Sequence, residues 1–204
     1  RKETDKKYDR IVTRFTNCLT HPVRNQETAL GNLMADILCD SLGIDLMLMG
    51  SGAIRSYELG PVVHYQDLVE CLPYDEAVYM LQVNGTQLER MLRRILREEA
   101  FEGEHTEFYQ FSHGMQIIWS RGQQEFETLT LNGKALDQQK LYTIALSKFH
   151  YMNIQNFLNI SLEEIKINAP PRVLATSYRD IVEEYMMMNP HLSSEVEGRL
   201  IVKT

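Results

Sequence analysis

Hydrophobic residues change period several times along this chain, and each change marks an element. Residues 10–19 (RIVTRFTNCL) alternate apolar and polar and are rich in β-formers, which predicts a strand broken by His21-Pro22. From Glu27 to Leu42 the period lengthens. Leu30, Leu33, Met34, Ile37, Leu38 and Leu42 recur at helical spacing, Glu27 lies near the positive end, and Gly43 stops the helix. Asp45–Met49 is short and almost wholly apolar, the pattern of a strand buried on both faces. It runs into Gly50-Ser51-Gly52-Ala53-Ile54-Arg55, where the glycines permit a tight turn, close backbone approach to a ligand, and display of Arg55.

A short helical piece at Tyr65–Cys71 leads to Leu72-Pro73-Tyr74. Residues 77–83 predict a strand that Asn84-Gly85 turns into the amphipathic helix Gln87–Glu99. Residues 107–119 and 125–131 predict strands, Asn132-Gly133 a turn, and Tyr142–Phe149 a further strand. A short helix near Ile154–Leu162, a helix over Ser177–Met188 and a closing strand at Glu197–Val202 complete the pattern. Strands and helices mix without strict βαβ alternation. The expectation is therefore one α/β (α+β) domain over residues 1–204, a mixed β-sheet core with flanking helices.

Composition narrows the function classes. With 44% hydrophobic and 24% charged residues, the 204-residue chain can bury a substantial core. No apolar run approaches the ~18 residues of a membrane helix, and the opening RKETDKKYDR is charged rather than signal-like. The chain starts without Met, as expected of part of a longer protein. A net charge of −7 disfavours a nucleic-acid surface, yet a few placed arginines can still set a local field for a small anion. Cys18, Cys39 and Cys71 suggest neither a disulfide framework nor a CxxC, which favours a reducing, cytoplasmic setting.

Candidate chemistry is sparse. The histidines, His21, His64, His105, His113, His150 and His191, have no ligand spacing. No GxSxG elbow, P-loop or GxGxxG is present. The chain is thus expected to hold no catalytic centre, metal or cofactor of its own. Arg90, Arg93, Arg94 and Arg97 alternate with Glu89, Glu98 and Glu99 and read as a solvated helix face. Arg24, just ahead of a helix N-terminus, and Arg55, after the glycine turn, suit an anion. Tyr74 and Phe157 can each offer a flat face to a ring.

The order of these pieces resembles a known family. Arg24-Asn-Gln-Glu27-Thr-Ala-Leu30-Gly31-Asn32-Leu33-Met-Ala-Asp36 is similar to the "R-x-x-E-x-x-x-G-N-L-x-x-D" helix that opens the C-terminal domain of 5′-nucleotidases. Gly50-Ser-Gly-Ala-Ile54-Arg55 resembles that family's "N-G-G-G-I-R" loop, and Leu72-Pro73-Tyr74 its "L-P-F" segment. Tyr178–Tyr185 and Gly198-Arg199-Leu-Ile resemble its last helix and its "G-R-I" strand. The likeness runs from about residue 10 to 202.

The resemblance implies the substrate-binding half of a two-domain phosphoric-ester hydrolase. In that family an N-terminal metallophosphatase domain holds two divalent metals, and the C-terminal domain grips the nucleotide and carries its phosphate to them. The first domain's Gly-Asn-His-Asp/Glu and Gly-His-x-His stretches are absent here, so this chain is expected to be the second domain alone, inactive by itself. Its implied partners are a nucleotide or nucleoside and the metallophosphatase domain. Carried over residue by residue, Arg24 and Arg55 would hold the phosphate, Tyr74 would stack on the base, and Phe157 would supply the second ring. Gly50, Ser51, Gly52 and Glu76 are candidate loop contacts. The sequence also departs from the family. The Asn that heads the glycine loop and contacts the base is Gly50. The "G-G-D-G-F" loop is Asn153-Ile-Gln-Asn156-Phe157. Glu76 stands where some members have a base-reading Asn, and "Q-V-S-G" becomes Gln110-Phe-Ser112-His113-Gly114. Two other readings stay open: the same hydrolase type acting on a nucleotide sugar, cyclic nucleotide or pyrophosphate, and a non-catalytic interaction module. Many family members are exported, against the cytoplasmic leaning of the cysteines.

Overall fold

The computed structural model describes residues 8–102 and 106–204; the opening segment through Lys7, and His105, lie outside the described residues. The first strand expected over 10–19 is two short pieces, β1 (Ile11–Arg14) and β2 (Leu19–Thr20). Helix α1 spans Ala29–Leu42 rather than starting at Glu27, because Thr28 caps it: its side chain accepts from Gly31 N. Gly43, at φ 63°, ends the helix in the left-handed region. Strand β3 (Leu46–Gly50), one 3₁₀ turn (Ser51–Ala53), β4 (Glu58–Leu59), β5 (Val62–His64) and α2 (Tyr65–Cys71) follow.

Next come β6 (Val78–Asn84) and α3 (Gly85–Ile95), whose N-cap Asn84 accepts from Gln87 N. The single strand expected over 107–119 is split into β7 (Tyr109–Phe111) and β8 (Met115–Ser120) at Gly114, φ 83°. The remaining elements are β9 (Glu125–Leu131), β10 (Lys134–Ala135), β11 (Leu141–Ser147), α4 (Lys148–Met152), α5 (Ile154–Leu158), α6 (Leu162–Asn168), β12 (Arg172–Ala175), α7 (Tyr178–Met188) and β13 (Leu200–Lys203).

Five strands make the central sheet in the order β12-β6-β11-β3-β7. Strands β11 and β3 are parallel, and the other pairs are antiparallel, so the sheet is mixed as expected. Along β3, Leu46 and Leu48 enter one core while Met47 and Met49 enter the other, all at most 1% exposed. Alternation between two cores explains why the strand is apolar throughout. Each such side chain contributes roughly 1.5–3 kcal/mol by leaving water. Helix α3 packs its Leu88, Met91, Leu92 and Ile95 into the first core, together with Trp119 of a second sheet ordered β10-β9-β8-β13. The second core gathers α1, α2 and α7.

The family-like "R-x-x-E-x-x-x-G-N-L-x-x-D" segment serves mainly to join the chain's ends. Glu27 accepts from the backbone N–H of Glu197 at 2.7 Å and from Asn32 Nδ2 at 2.7 Å. Asp36 pairs bidentately with the buried Arg199, at 2.6 and 2.7 Å. Gly31 leaves space for Gln110: a Cβ there would lie 2.4 Å from that side chain.

Candidate nucleotide-binding cleft

One edge of the central sheet concentrates the polar chemistry, and strand register explains why. Strands β3 and β11 run parallel, so Gly50-Ser51-Gly52 and Ser147–His150 emerge side by side. Strand β6 is antiparallel to β11, with Ser147 opposite Val78, so Tyr74 and Glu76 enter at the same edge. Strand β7 is antiparallel to β3, with Gly50 opposite Tyr109, which brings Glu107 there as well. Carboxyl ends of parallel strands are where open α/β sheets place ligands.

The resulting cleft, about 420 Å³, is lined by Arg24, Gly52, Arg55, Tyr74 and Glu76, with Glu107, Ser147, Phe149 and His150. Arg24 Nη1 lies 3.4 Å from where a Cβ on Gly52 would stand, so this guanidinium lies across the glycine loop. Arg55 is anchored by its own N–H, which donates to Cys71 O at 2.8 Å, and its guanidinium lies 5.9 Å from the Tyr74 ring centroid. Among the described residues neither Arg24 nor Arg55 has a carboxylate within ion-pairing distance. On α3, by contrast, Arg90 pairs with Glu164 at 2.5 Å and Arg93 with Glu89 at 2.8 Å. That is why the α3 arginines form a solvated face and the cleft arginines stand open to a ligand.

Aromatic placement separates the two rings singled out in the sequence. Tyr74 lines the cleft and is 58% exposed. Phe157 is half-buried against the first core and does not line the cleft. Its ring centroid lies 5.6 Å from that of Phe149, which does line the cleft and is 48% exposed. The sequence assigned Phe149 to the end of a strand, whereas it opens α4 with its face to the cleft.

Two further residues escaped the sequence reading. His150 is buried, with Nδ1 3.0 Å from Ser147 Oγ and Nε2 3.0 Å from Glu107 Oε2. A carboxylate can only accept, so Nε2 carries the proton in this contact. His150 gave no spacing signal because its partners come from β11 and the segment entering β7, far apart in sequence. Glu76 Oε2 accepts from the Phe149 backbone N–H at 3.1 Å.

Behind the glycine loop lies a buried polar layer. His21 Nε2 donates to Ser51 O at 3.0 Å, which leaves Nδ1 to accept from Thr28 Oγ1 at 2.8 Å. Burial pushes the His21 pKa down, and the neighbouring positive charge of Arg24 adds to that, against the hydrogen bond to Ser51. Gln110 completes the layer, accepting from Thr28 N at 3.1 Å and donating to Ser51 Oγ at 3.0 Å. Gly50 and Ser51 thus belong to the cleft's floor and backing rather than to its lining. Cys39 and Cys71 are buried free thiols, and Cys18 is half-buried. Burial pushes Cys71 up to about 12, which makes it an inert packing group. Among the described residues no group of His, Cys, Asp and Glu is arranged to hold a metal ion, and no helix is long and apolar enough to cross a membrane.

Fold and cleft agree with comparisons to known proteins. Residues 10–161 match the family model for the 5′-nucleotidase C-terminal domain. The chain belongs to that family. A search of curated proteins finds no match. Among solved structures, the chain is similar to a 5′-nucleotidase precursor from Thermus thermophilus at 17% identity and TM-score 0.78, covering 98% of this chain and 41% of that one. It is similar to the NAD nucleotidase of Haemophilus influenzae at 13% identity and TM-score 0.80, covering 100% and 40% respectively. It also resembles a Thermus thermophilus sulfate thiohydrolase at 12% identity and TM-score 0.73, covering 98% and 36%. The chain therefore spans about 40% of the length of the first two. At these identities the likeness is one of fold.

Proposed function

We propose that this chain is the nucleotide-gripping half of a metal-dependent 5′-nucleotidase-type phosphohydrolase. The observation that carries the reading is the meeting of Arg24 and Arg55, without carboxylate partners among the described residues, with the exposed Tyr74 and Phe149 rings in one cleft. Two guanidinium forks match the oxygens of a phosphomonoester and neutralise much of its charge. The rings offer faces on which a base stacks. The chain supplies binding and orientation, and a metallophosphatase domain elsewhere in the protein supplies the metal-activated water.

Calorimetric titration of this chain with AMP, adenosine and inorganic phosphate tests the proposal. Both AMP and phosphate are expected to bind, and Arg55→Ala should weaken both about tenfold or more, the scale of one charge-assisted contact. Adenosine should bind weakly and be indifferent to Arg55→Ala. Absence of all three at millimolar concentration, or binding unchanged by Arg55→Ala and Arg24→Ala, refutes the reading.

A further inference from the structure

The cleft's hydrogen-bonding groups have a strong bias. Opposite its two arginines the acidic side chains lining it are Glu76 and Glu107. A carboxylate accepts and cannot donate, so a base edge lying against it must present N–H groups. Glu76 is held in place by the backbone N–H of Phe149, the residue whose ring lines the same cleft. A base resting on the Phe149 ring therefore meets a fixed carboxylate at its rim. Among the described residues, Glu76 has Phe149 N–H as its one side-chain hydrogen bond, which leaves Oε1 and a second lone pair on Oε2 for a ligand.

Glu107 adds to the bias. Its Oε2 is tied to Nε2 of the buried His150, and His150 fills the space beside Gly50, since a Cβ on Gly50 would lie 2.0 Å from His150 Cε1. An amide side chain at position 50, able to donate and accept, is thus replaced by an acidic wall.

Only one common base carries two adjacent donors on its pairing edge. Guanine presents N1–H beside N2–H2, which match the two oxygens of one carboxylate. Adenine sets its N1 lone pair beside the N6 donor, cytosine sets N3 beside N4–H2, and uracil flanks one N–H with two carbonyls. Each of these turns at least one lone pair towards Glu76.

We propose that the cleft selects guanine among nucleoside 5′-monophosphates, with Glu76 as the base-reading residue and Glu107 as the second acidic wall. This inference rests on the proposed nucleotide-binding reading and names its substrate class.

The test is a competition titration of GMP, IMP, AMP, CMP and UMP on this chain, with inorganic phosphate as reference, repeated on Glu76→Gln. Glutamine keeps an oxygen for the Phe149 N–H and swaps one acceptor for a donor. GMP is expected to bind about tenfold or more tighter than AMP, the discrimination of one bidentate base contact. IMP, which lacks the N2 amino group, should fall between them. In Glu76→Gln the gap between GMP and AMP should close, and phosphate affinity should not change. Nucleotide binding with AMP equal to or tighter than GMP, or a preference that survives Glu76→Gln, overturns the guanine inference and leaves the phosphate grip standing. Failure of every nucleotide and of phosphate to bind overturns both.

Discussion

The imidazole of His150 stands in the space that a side chain on Gly50 would need: a Cβ added to Gly50 would meet Cε1 at 2.0 Å and Nε2 at 2.7 Å. The obstacle is a buried ring fixed at both nitrogens, by Ser147 and Glu107, so it yields less readily than the end of a flexible chain. Gly50→Asn is therefore expected to destabilise the fold by about 2 kcal/mol, within the usual cost of overpacking. In a chain of this size that lowers Tm by roughly 4–8 °C. His150→Ala opens the space, so the double variant should be more stable than the sum of the two single losses. Strict additivity in thermal melts would show that the two positions do not compete for room.

Phe149 and Phe157 should part company in binding. The exposed Phe149 ring lines the cleft, while Phe157 packs half-buried on the first core behind it. Phe149→Ala is expected to cost about 1–3 kcal/mol of nucleotide affinity, the worth of one stacking ring, with little change in phosphate affinity. Phe157→Ala should act mainly on Tm. Calorimetry and melting curves on both variants decide this. A larger loss of nucleotide affinity from Phe157→Ala than from Phe149→Ala would place the stacking ring one helix later.

These two cases show what was legible in the sequence. The apolar run Leu46–Met49 announced a strand buried on both faces, and Gly43 announced the helix stop, because both signals are local. Arg24, Arg55, Tyr74 and Glu76 stood out as candidates from motif order, and the sheet brings all four to one cleft. Glu107, Phe149 and His150 could not be found in the same way. Their convergence depends on β7 pairing beside β3 and on β11 running parallel to it, which no local pattern encodes. Residues 107–119 look like one strand in sequence, yet the left-handed turn at Gly114 carries the chain from one sheet into another. Strand β12 was missed because Arg172–Ala175 is a short edge segment just after two prolines. Helix α6 did carry a signal: Ser161 caps it by accepting from Glu164 N.

His21 ties acid sensitivity to the loop that carries Arg55. In the folded chain its pKa is lowered from 6.5, first by burial, while in the unfolded chain it titrates near its ordinary value of about 6.5. The unfolded state therefore takes up the proton first as pH falls. The stabilisation from neutral His21 is fully present above about pH 6.5 and is lost below it, down to the folded pKa. Thermal melts of the parent chain and of His21→Gln between about pH 7.5 and 5.5 isolate this contribution. The parent should lose more Tm over that range than the variant, whose amide does not titrate. Parallel losses would assign the acid sensitivity to other groups.

Arg199 offers the sharpest separation between stability and binding. Its guanidinium is buried, paired with both oxygens of Asp36 and donating to Phe111 O at 2.9 Å. Asp36 also accepts from His113 N at 2.7 Å, so the pair clamps α1 and the β7–β8 connection to the start of β13. Asp36→Ala would strand a buried cation, a loss of about 3–5 kcal/mol when one partner of such a pair is removed. The expected fall in Tm is roughly 6–20 °C at this chain length. Asp36→Asn keeps an acceptor for one Arg199 N–H and should lose less. The motif residues Glu27, Asn32 and Asp36 hold the chain's ends together rather than touching the cleft. At a temperature where the Asp36→Asn variant is fully folded, its affinity for phosphate and AMP should therefore equal that of the parent. Calorimetry below the onset of melting checks this. A large affinity loss in a folded Asp36→Asn variant would show that this clamp, and not only Arg24, sets the geometry of the anion grip.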